Sequence, residues 1–414
     1  MRISDRNIQS TYLNSLARNK ADLATIQKQM VTQSKINKPS DSPLGTTRVL
    51  RLTGQIESFN TYSKNIESGL AYIDNSSLAL EGISKEIQTV LSDLTNANNA
   101  TVSENLSTYA DKIKASLSSI IDLSNTEFDG QFLFGGTDNS TIPISSDSSG
   151  FVEFNSDSFG GERKIRLSNY TEQKINMTGR ELFAPVLKQS GNLDSSSAIG
   201  AAETITSTVY NSEGTAFSLE TTYTKNAANQ YVMDYQLLDS ASAVISTGSS
   251  NLSFNAATGA LESVDGSSPK DISIIDETNG ISFLVDVNSF TEKNSAATLS
   301  TSLSQKADIF NVLQSVSEKL AAGELPDETQ VKLISDFEKS LTNKISELGS
   351  YRNRLTDTDE LNQEQSLTLQ ELVSKEKDVD IAQLAISLQE KQYNLDLTYK
   401  ISATLLPKSL LDFI

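Results

Sequence analysis

Any chemistry in this chain has to come from carboxylates, amides and hydroxyls. Its 414 residues include no cysteine and no histidine. A disulfide framework, a thiolate nucleophile, a zinc–thiolate centre and the usual neutral-pH general base are therefore excluded. Carboxylate pairs and oxygen-only metal sites remain. The best-spaced oxygen ligands lie in LTDTDELNQEQ (355–365), where Asp357 and Asp359 occupy the first and third positions of a calcium-loop pattern. The pattern fails at its sixth position, where Asn362 replaces the glycine that the sharp turn requires. An acidic helix start is the better reading. NST (139–141), NYT (169–171) and NLS (251–253) match the glycosylation acceptor pattern, but such triplets arise by chance in a Ser/Thr/Asn-rich chain. No nucleotide-binding glycine loop is present, and no two carboxylates stand in an apolar surround that would perturb their titration. The expectation is a non-enzyme with no catalytic residue, no cofactor and no metal.

The charge balance of 34 basic to 53 acidic residues, net −19, argues against nucleic acid or an anionic membrane as the main partner, since both need a basic face. No run of about eighteen apolar residues could span a membrane. The N-terminal MRISDRNIQSTYLNSL has no apolar segment of signal-peptide type, so export, if it occurs, is expected without signal cleavage.

The elements that would position functional residues fall into three blocks. Residues 1–130 and 303–406 read as helix, and residues 137–300 as strands and turns. The clearest pattern is a heptad over 56–94. Phe59, Ile66, Ile73, Leu80, Ile87 and Leu94 fill the d positions, and Ile56, Ser63, Leu70, Ser77, Ser84 and Leu91 the a positions, so nine of twelve seam positions are apolar. That predicts a long helix lying along other helices in a bundle. Leu16, Leu23 and Met30, with Ile26 between, mark a weaker helix over 5–33. Leu106, Ile113, Leu117, Ile120 and Ile121 mark a third over 103–127. Helices are expected over 305–321 and 327–356, around a stop at Gly323 and Pro326, and a last one over about 360–404. Strands are expected at 151–155, 163–167, 216–225, 230–238, 251–255 and 280–287. The fold class is α+β. The N- and C-terminal segments form a long helical bundle or coiled coil, and an all-β region is inserted, because neither helical half can bury its stripe alone.

One stretch interrupts the first block: KINKPSDSPLGTTRVL (35–50). Pro39 and Pro43 lack the backbone donor of a helix interior and push the preceding residues out of the helical region. Asp41 or Ser42 can cap the restarted helix, with Pro43 at its first position.

This stretch, read to Leu52, resembles the early signature of the hook-associated branch of the flagellin superfamily: a basic residue, Ile36-Asn37, Pro39-Ser40-Asp41, then Pro43-x-Gly45. Flagellins proper carry Ala-Asp-Asp-Ala-Ala-Gly here, and the two prolines point instead to the hook-associated protein 3 family of the hook–filament junction. Ser42 departs from a frequent second aspartate. LSNTEFDGQFLFGGT (123–137) resembles that family's turn after the third helix, and residues 376–414 resemble its C-terminal helix and its Ser-Leu-Leu-Asp-Phe-Leu-like ending. STVYNSEGTAFSLETTYTK (207–225), SFNAATGALESV (253–264) and ISFLVDVNSFTEKNSA (281–296) are similar to a β domain of the flagellar hook protein.

The resemblance implies terminal assembly segments at 1–34 and 373–414. It also implies a helical rod built from 35–136 and 303–372, and a β insert at 137–302 whose 203–300 part is hook-protein-like. It implies a structural adaptor outside the cell, on which flagellin polymerises, that forms a ring of copies. The partners would be a neighbouring hook-associated protein, flagellin and a cytosolic export chaperone. Asn37, Pro39, Ser40, Asp41, Pro43 and Gly45 form the signature. Leu384, Leu388, Leu395, Leu405 and Leu411 are the expected assembly or chaperone stripe, with intramolecular packing as the competing role. A filament flagellin, or a secreted adhesin or enzyme acting through the β insert, are the alternatives.

Overall fold

The computed structural model describes residues 2–98, 106–137, 141–147, 150–154, 160–268 and 271–405. Its α-helices are α1 (Arg2–Thr32), α2 (Pro43–Ala97), α3 (Leu106–Ser124), α4 (Gly179–Leu182), α5 (Ile309–Ala321), α6 (Glu328–Lys377) and α7 (Ile381–Leu405). Two units emerge from the contacts: Met1–Lys64 with Thr358–Ile414, and Asn65–Asp357. The division falls inside α2 and α6, because both helices run through without a break. The end of α1 at Thr32 and the end of α6 at Lys377 both lie within the first unit. No helix is long and apolar enough to cross a membrane among the described residues.

The 65–357 unit has a helical part and a β part. In the helical part, α2 presents a seam that departs from the expected one. The d residues Ile66, Ile73, Leu80, Ile87 and Leu94 are buried, but the second line of the seam is Gly69, Ser76, Ile83, Val90 and Ala97, while Ser63, Leu70, Ser77 and Leu91 stay half-buried. The 3-4 spacing survives and the face is rotated toward Ile83 and Val90, which bury more apolar surface than serines do. Leu117 and Ile120 of α3, Phe310 and Leu313 of α5, and Ile334 and Leu341 of α6 complete this core.

Two short hairpins flank it: β1 (Glu127–Phe128) with β2 (Gln131–Phe132), and β3 (Ile144–Ser146) with β4 (Val152–Phe154). Asn311 of α5 clamps β4 by accepting from Val152 N at 2.8 Å and donating to Val152 O at 2.9 Å. A third hairpin, β5 (Lys164–Arg166) with β6 (Glu172–Lys174), lies so close to α2 that a Cβ on Gly69 would sit 2.6 Å from Ile165 Cδ1. Phe183 centres the aromatic packing, with its ring centroid 5.8 Å from that of Phe134 and 5.5 Å from that of Phe310.

The β part comprises β7 (Val186–Asp194), β8 (Ala202–Tyr210), β9 (Ala216–Ala227), β10 (Gln230–Leu238), β11 (Val244–Phe254), β12 (Leu261–Val264), β13 (Ile272–Asp276), β14 (Ile281–Lys293) and β15 (Thr298–Leu303). Strands β8 to β12 form an antiparallel meander in the order β12-β11-β10-β9-β8, and the second sheet runs β13-β14-β7-β15, with β14 and β7 parallel. The alternating strands β9 and β10 send Leu219, Tyr223, Tyr231, Met233 and Leu237 into a core shared with Phe283, Val285 and Phe290 of β14. Arg180 of α4 pairs with Asp271 and, at 2.6 Å, with Asp286.

Two helix readings are corrected. The expected stop between 356 and 360 is absent: LTDTDELNQEQ lies within α6. It contains neither glycine nor proline, so nothing in it opposes helix strongly enough to end one. The real interruption is at 378–380, where Asp380 caps α7 by accepting from Ala382 N at 2.9 Å and Gln383 N at 3.2 Å. The third helix is shorter than expected, at Leu106–Ser124, and residues 103–105 lie outside the described residues.

Candidate functional site: the paired helix breaks

The signature residues build a joint in the terminal unit. Gln33 leaves α1 in the left-handed region, with φ 54°, as a helix C-terminal residue often does. The chain then pairs with the α6–α7 interruption. Ser34 and Asp378 form an antiparallel bridge, Lys35 N donates to Lys377 O at 2.6 Å, and Val379 N donates to Gln33 O at 3.2 Å. Two helix breaks more than 340 residues apart in sequence therefore satisfy each other's backbone groups.

Each signature residue has a place in this turn. Asn37 donates through Nδ2 to Ser34 O at 2.9 Å. Asp41 Oδ2 accepts from Asn37 N at 2.9 Å and Lys38 N at 2.8 Å. Those two amides hold the Asp41 carboxyl below the usual carboxylate range, the Asn37 bond contributing most. Ser42, and not Asp41, caps α2: its Oγ accepts from Gly45 N at 3.2 Å, and Pro43 is the first helical residue. Gly45 is buried. A Cβ there would meet Ser42 Oγ at 2.7 Å and Ile36 Cδ1 at 2.8 Å. Pro39 and Ser40 are exposed on the outside of the turn. Arg48 pairs with Glu376 across the joint at 3.3 Å.

Beyond the joint, α7 runs antiparallel along α1. Lys391 pairs with Asp22 at 2.7 Å, Tyr12 donates to Thr398 O at 3.0 Å, and the Lys20 ammonium stands 5.7 Å from the Tyr399 ring centroid. Leu384 is buried, and Leu388 and Leu395 are half-buried, in the helix that α1 packs against. The Leu405 side chain and the whole of Leu411 lie outside the described residues. The apolar side chains of α7 left in solvent are others: Ile381, Ile386, Tyr393, Leu397, Tyr399 and Ile401. Ile386, Tyr393, Leu397 and Ile401 went unread because they fall off the Leu384–Leu388–Leu395 stripe; Ile381 lies on its edge. Their signal was an α7 apolar on more than one side. The pairing of 33–35 with 377–379 also went unread, since neither segment shows a strand pattern.

The arrangement holds helix ends and helix faces together. Asp357 and Asp359 sit in a helix, and no cluster of three or more metal-ligating side chains occurs among the described residues.

Several solved structures are similar to this chain. A putative flagellar hook-associated protein from Vibrio parahaemolyticus is 13% identical, with a TM-score of 0.48, covering 82% of this chain and 100% of that one. The flagellar junction protein FlgL from Legionella pneumophila is 15% identical, with a TM-score of 0.46, covering 79% and 100%. FlgL from Xanthomonas campestris is 16% identical, with a TM-score of 0.44, covering 78% and 99%. No curated protein matches the chain in sequence. Residues 3–139, which span nearly all of α1, the 33–42 turn, α2 and α3, match the family model of the bacterial flagellin N-terminal helical region.

Proposed function

We propose that this chain is a structural subunit of the bacterial flagellum, an adaptor at the hook–filament junction on which flagellin polymerises. The observation that carries the reading is the flagellin N-terminal match over residues 3–139, with its Pro39/Pro43 joint in place of the Ala-Asp-Asp-Ala-Ala-Gly of flagellins proper. The paired terminal helices support it. They leave Ile386 60% and Tyr393 64% exposed, and a neighbouring subunit would cover such side chains at a gain of about 1.5–3 kcal/mol each. Copies arranged head to tail give a ring or a helical array, since the covering surface differs from the covered one. In this reading the chain leaves the cell through the flagellar export channel without signal cleavage, and a cytosolic chaperone holds the C-terminal helix before export. Its neighbours are a second hook-associated protein and flagellin, and its role is structural and not catalytic.

Electron microscopy of cells lacking the gene tests this. Bare hooks with flagellin shed into the medium are expected. Normal filaments on such cells would end the junction reading.

A further inference from the structure

The joint carries a small apolar notch of about 200 Å³, lined in part by Ile36, Pro39, Leu50, Thr46, Lys38 and Lys377. It differs from an ordinary surface dimple in two ways. The Thr46 Oγ1 beside it is buried with no hydrogen-bond partner, a state that costs free energy. Leu50 beside it is 67% exposed, although it follows a break held rigid by the Ser42 cap and the 33–35/377–379 pairing. An occupant that fits would bring apolar side chains for Ile36, Pro39 and Leu50, and one carboxylate for Lys38 and Lys377.

The chain contains such a segment outside the described residues. Leu410-Leu411-Asp412-Phe413 sets a single carboxylate among three large apolar side chains. It cannot come from the same copy. The Ser34–Asp378, Asp22–Lys391 and Tyr12–Thr398 contacts put the end of α7 beside the start of α1, at the far end of the helix pair from the notch. The 25 residues of α7 span about 37 Å at 1.5 Å per residue. Fully extended, the seven residues from Leu405 to Asp412 reach about 25 Å. We infer that the notch is the docking site for the Leu410–Phe413 segment of a second copy, with Asp412 meeting Lys38 and Lys377. The inference rests on the reading of the chain as a self-assembling subunit, and it names a contact by which one copy engages the next.

The test titrates purified full-length chain into a fluorescein-labelled peptide of residues 405–414. Saturable binding is expected, weakened at least tenfold by Lys377→Glu in the chain and regained when that variant meets a peptide carrying Asp412→Lys. The absence of saturable binding, or binding indifferent to Lys377→Glu and to Leu50→Asp, overturns the site. In a chain with no cysteine of its own, copies with Leu50→Cys mixed with copies with Phe413→Cys should form a mixed disulfide dimer on oxidation. A link formed instead within single dilute copies carrying both cysteines overturns the second-copy assignment. Both measurements use purified protein, so their failure leaves the deletion-strain result to decide the junction reading separately.

Discussion

The terminal unit and the 65–357 unit are built from similar helices and end in opposite states of burial. Both buried apolar clusters draw every member from between Ile66 and Leu355. In the terminal unit the described residues contain two buried hydrophobic side chains, Leu52 and Leu384. Even the two long helices that pass through both units change character along their length. In α2, Phe59 is half-buried and Ile66 fully buried; in α6, Leu355 is fully buried and Leu367 is 61% exposed. Helical propensity alone is marginal in water, and packing of one face supplies most of a helix's stability. The 65–357 unit therefore has two apolar cores to stabilise it, while the terminal unit is left with apolar side chains in solvent.

The largest way to break this contrast is to exchange the two roles. Phe183 is fully buried and packs on three other aromatic rings. Phe183→Ala should cost about 3–5 kcal/mol and lower the thermal midpoint by roughly 10 °C. Tyr393→Ala, at a position 64% exposed, should leave the midpoint within about 1 °C and instead reduce association between copies. Calorimetry together with sedimentation of both variants checks the pair. A Tyr393→Ala variant that melts like Phe183→Ala would mean that the terminal helices are part of the same cooperative core.

The joint sharpens the contrast at a smaller scale. Gly45→Ala places a methyl 2.7 Å from Ser42 Oγ and 2.8 Å from Ile36 Cδ1, an overpacking cost of about 1–3 kcal/mol. Because the clash lies wholly within the terminal unit, it should open the 33–42 turn and leave the main melting transition in place. Limited proteolysis should therefore cut the variant near Lys35 or Lys38 while the 65–357 unit stays intact. An unchanged cleavage pattern would show that the turn tolerates the methyl and that the glycine answers some other need.

Which parts of this were legible in the sequence follows from where the determining forces lie. The break at 35–50 was readable because proline acts locally. The choice between Asp41 and Ser42 as cap was not readable, since both can accept the same bond. The length of α2 was readable from its d residues. Its rotation was not, because serines at a left the partner free to choose Ile83 and Val90. Strands β9 and β10 alternate strictly and were found. Strand β7 (VLKQSGNLD) and strand β15 (TLSTSL) are strands because each finds the other, and polar composition hid them. The run through 355–365 was misread because acidic residues suggested a start where the chain merely continued. The partner of the joint, residues 377–379, could not be found locally: its pairing with 33–35 is tertiary.

Two aspartates near helix starts give the finest comparison, since the units shift them in opposite directions. Asp308 caps α5 and accepts from Phe310 N at 2.9 Å and Asn311 Nδ2 at 2.8 Å. Burial nevertheless dominates and pushes its carboxyl up to about 8. A raised carboxyl favours the neutral folded form, so its contribution is fully present below the unfolded value near 3.8 and is lost as pH rises through about 8. Between pH 7 and 9 the unfolded state gains nothing while the folded state gives up its proton, a loss of about 1 kcal/mol. The thermal midpoint of the 65–357 unit should therefore fall by about 3 °C over that interval, and Asp308→Asn should abolish the fall. Asp41 is fully exposed, and the Asn37 and Lys38 amides lower it. Its contribution to the joint is present above about 3.8 and is lost as pH falls through the depressed folded value. Cleavage of the 33–42 turn by an acid-active protease should therefore rise below about pH 4, in the wild-type chain and not further in Asp41→Asn. If one pH drives both changes, the two units melt as one and the contrast between a closed core and an open terminal pair is wrong.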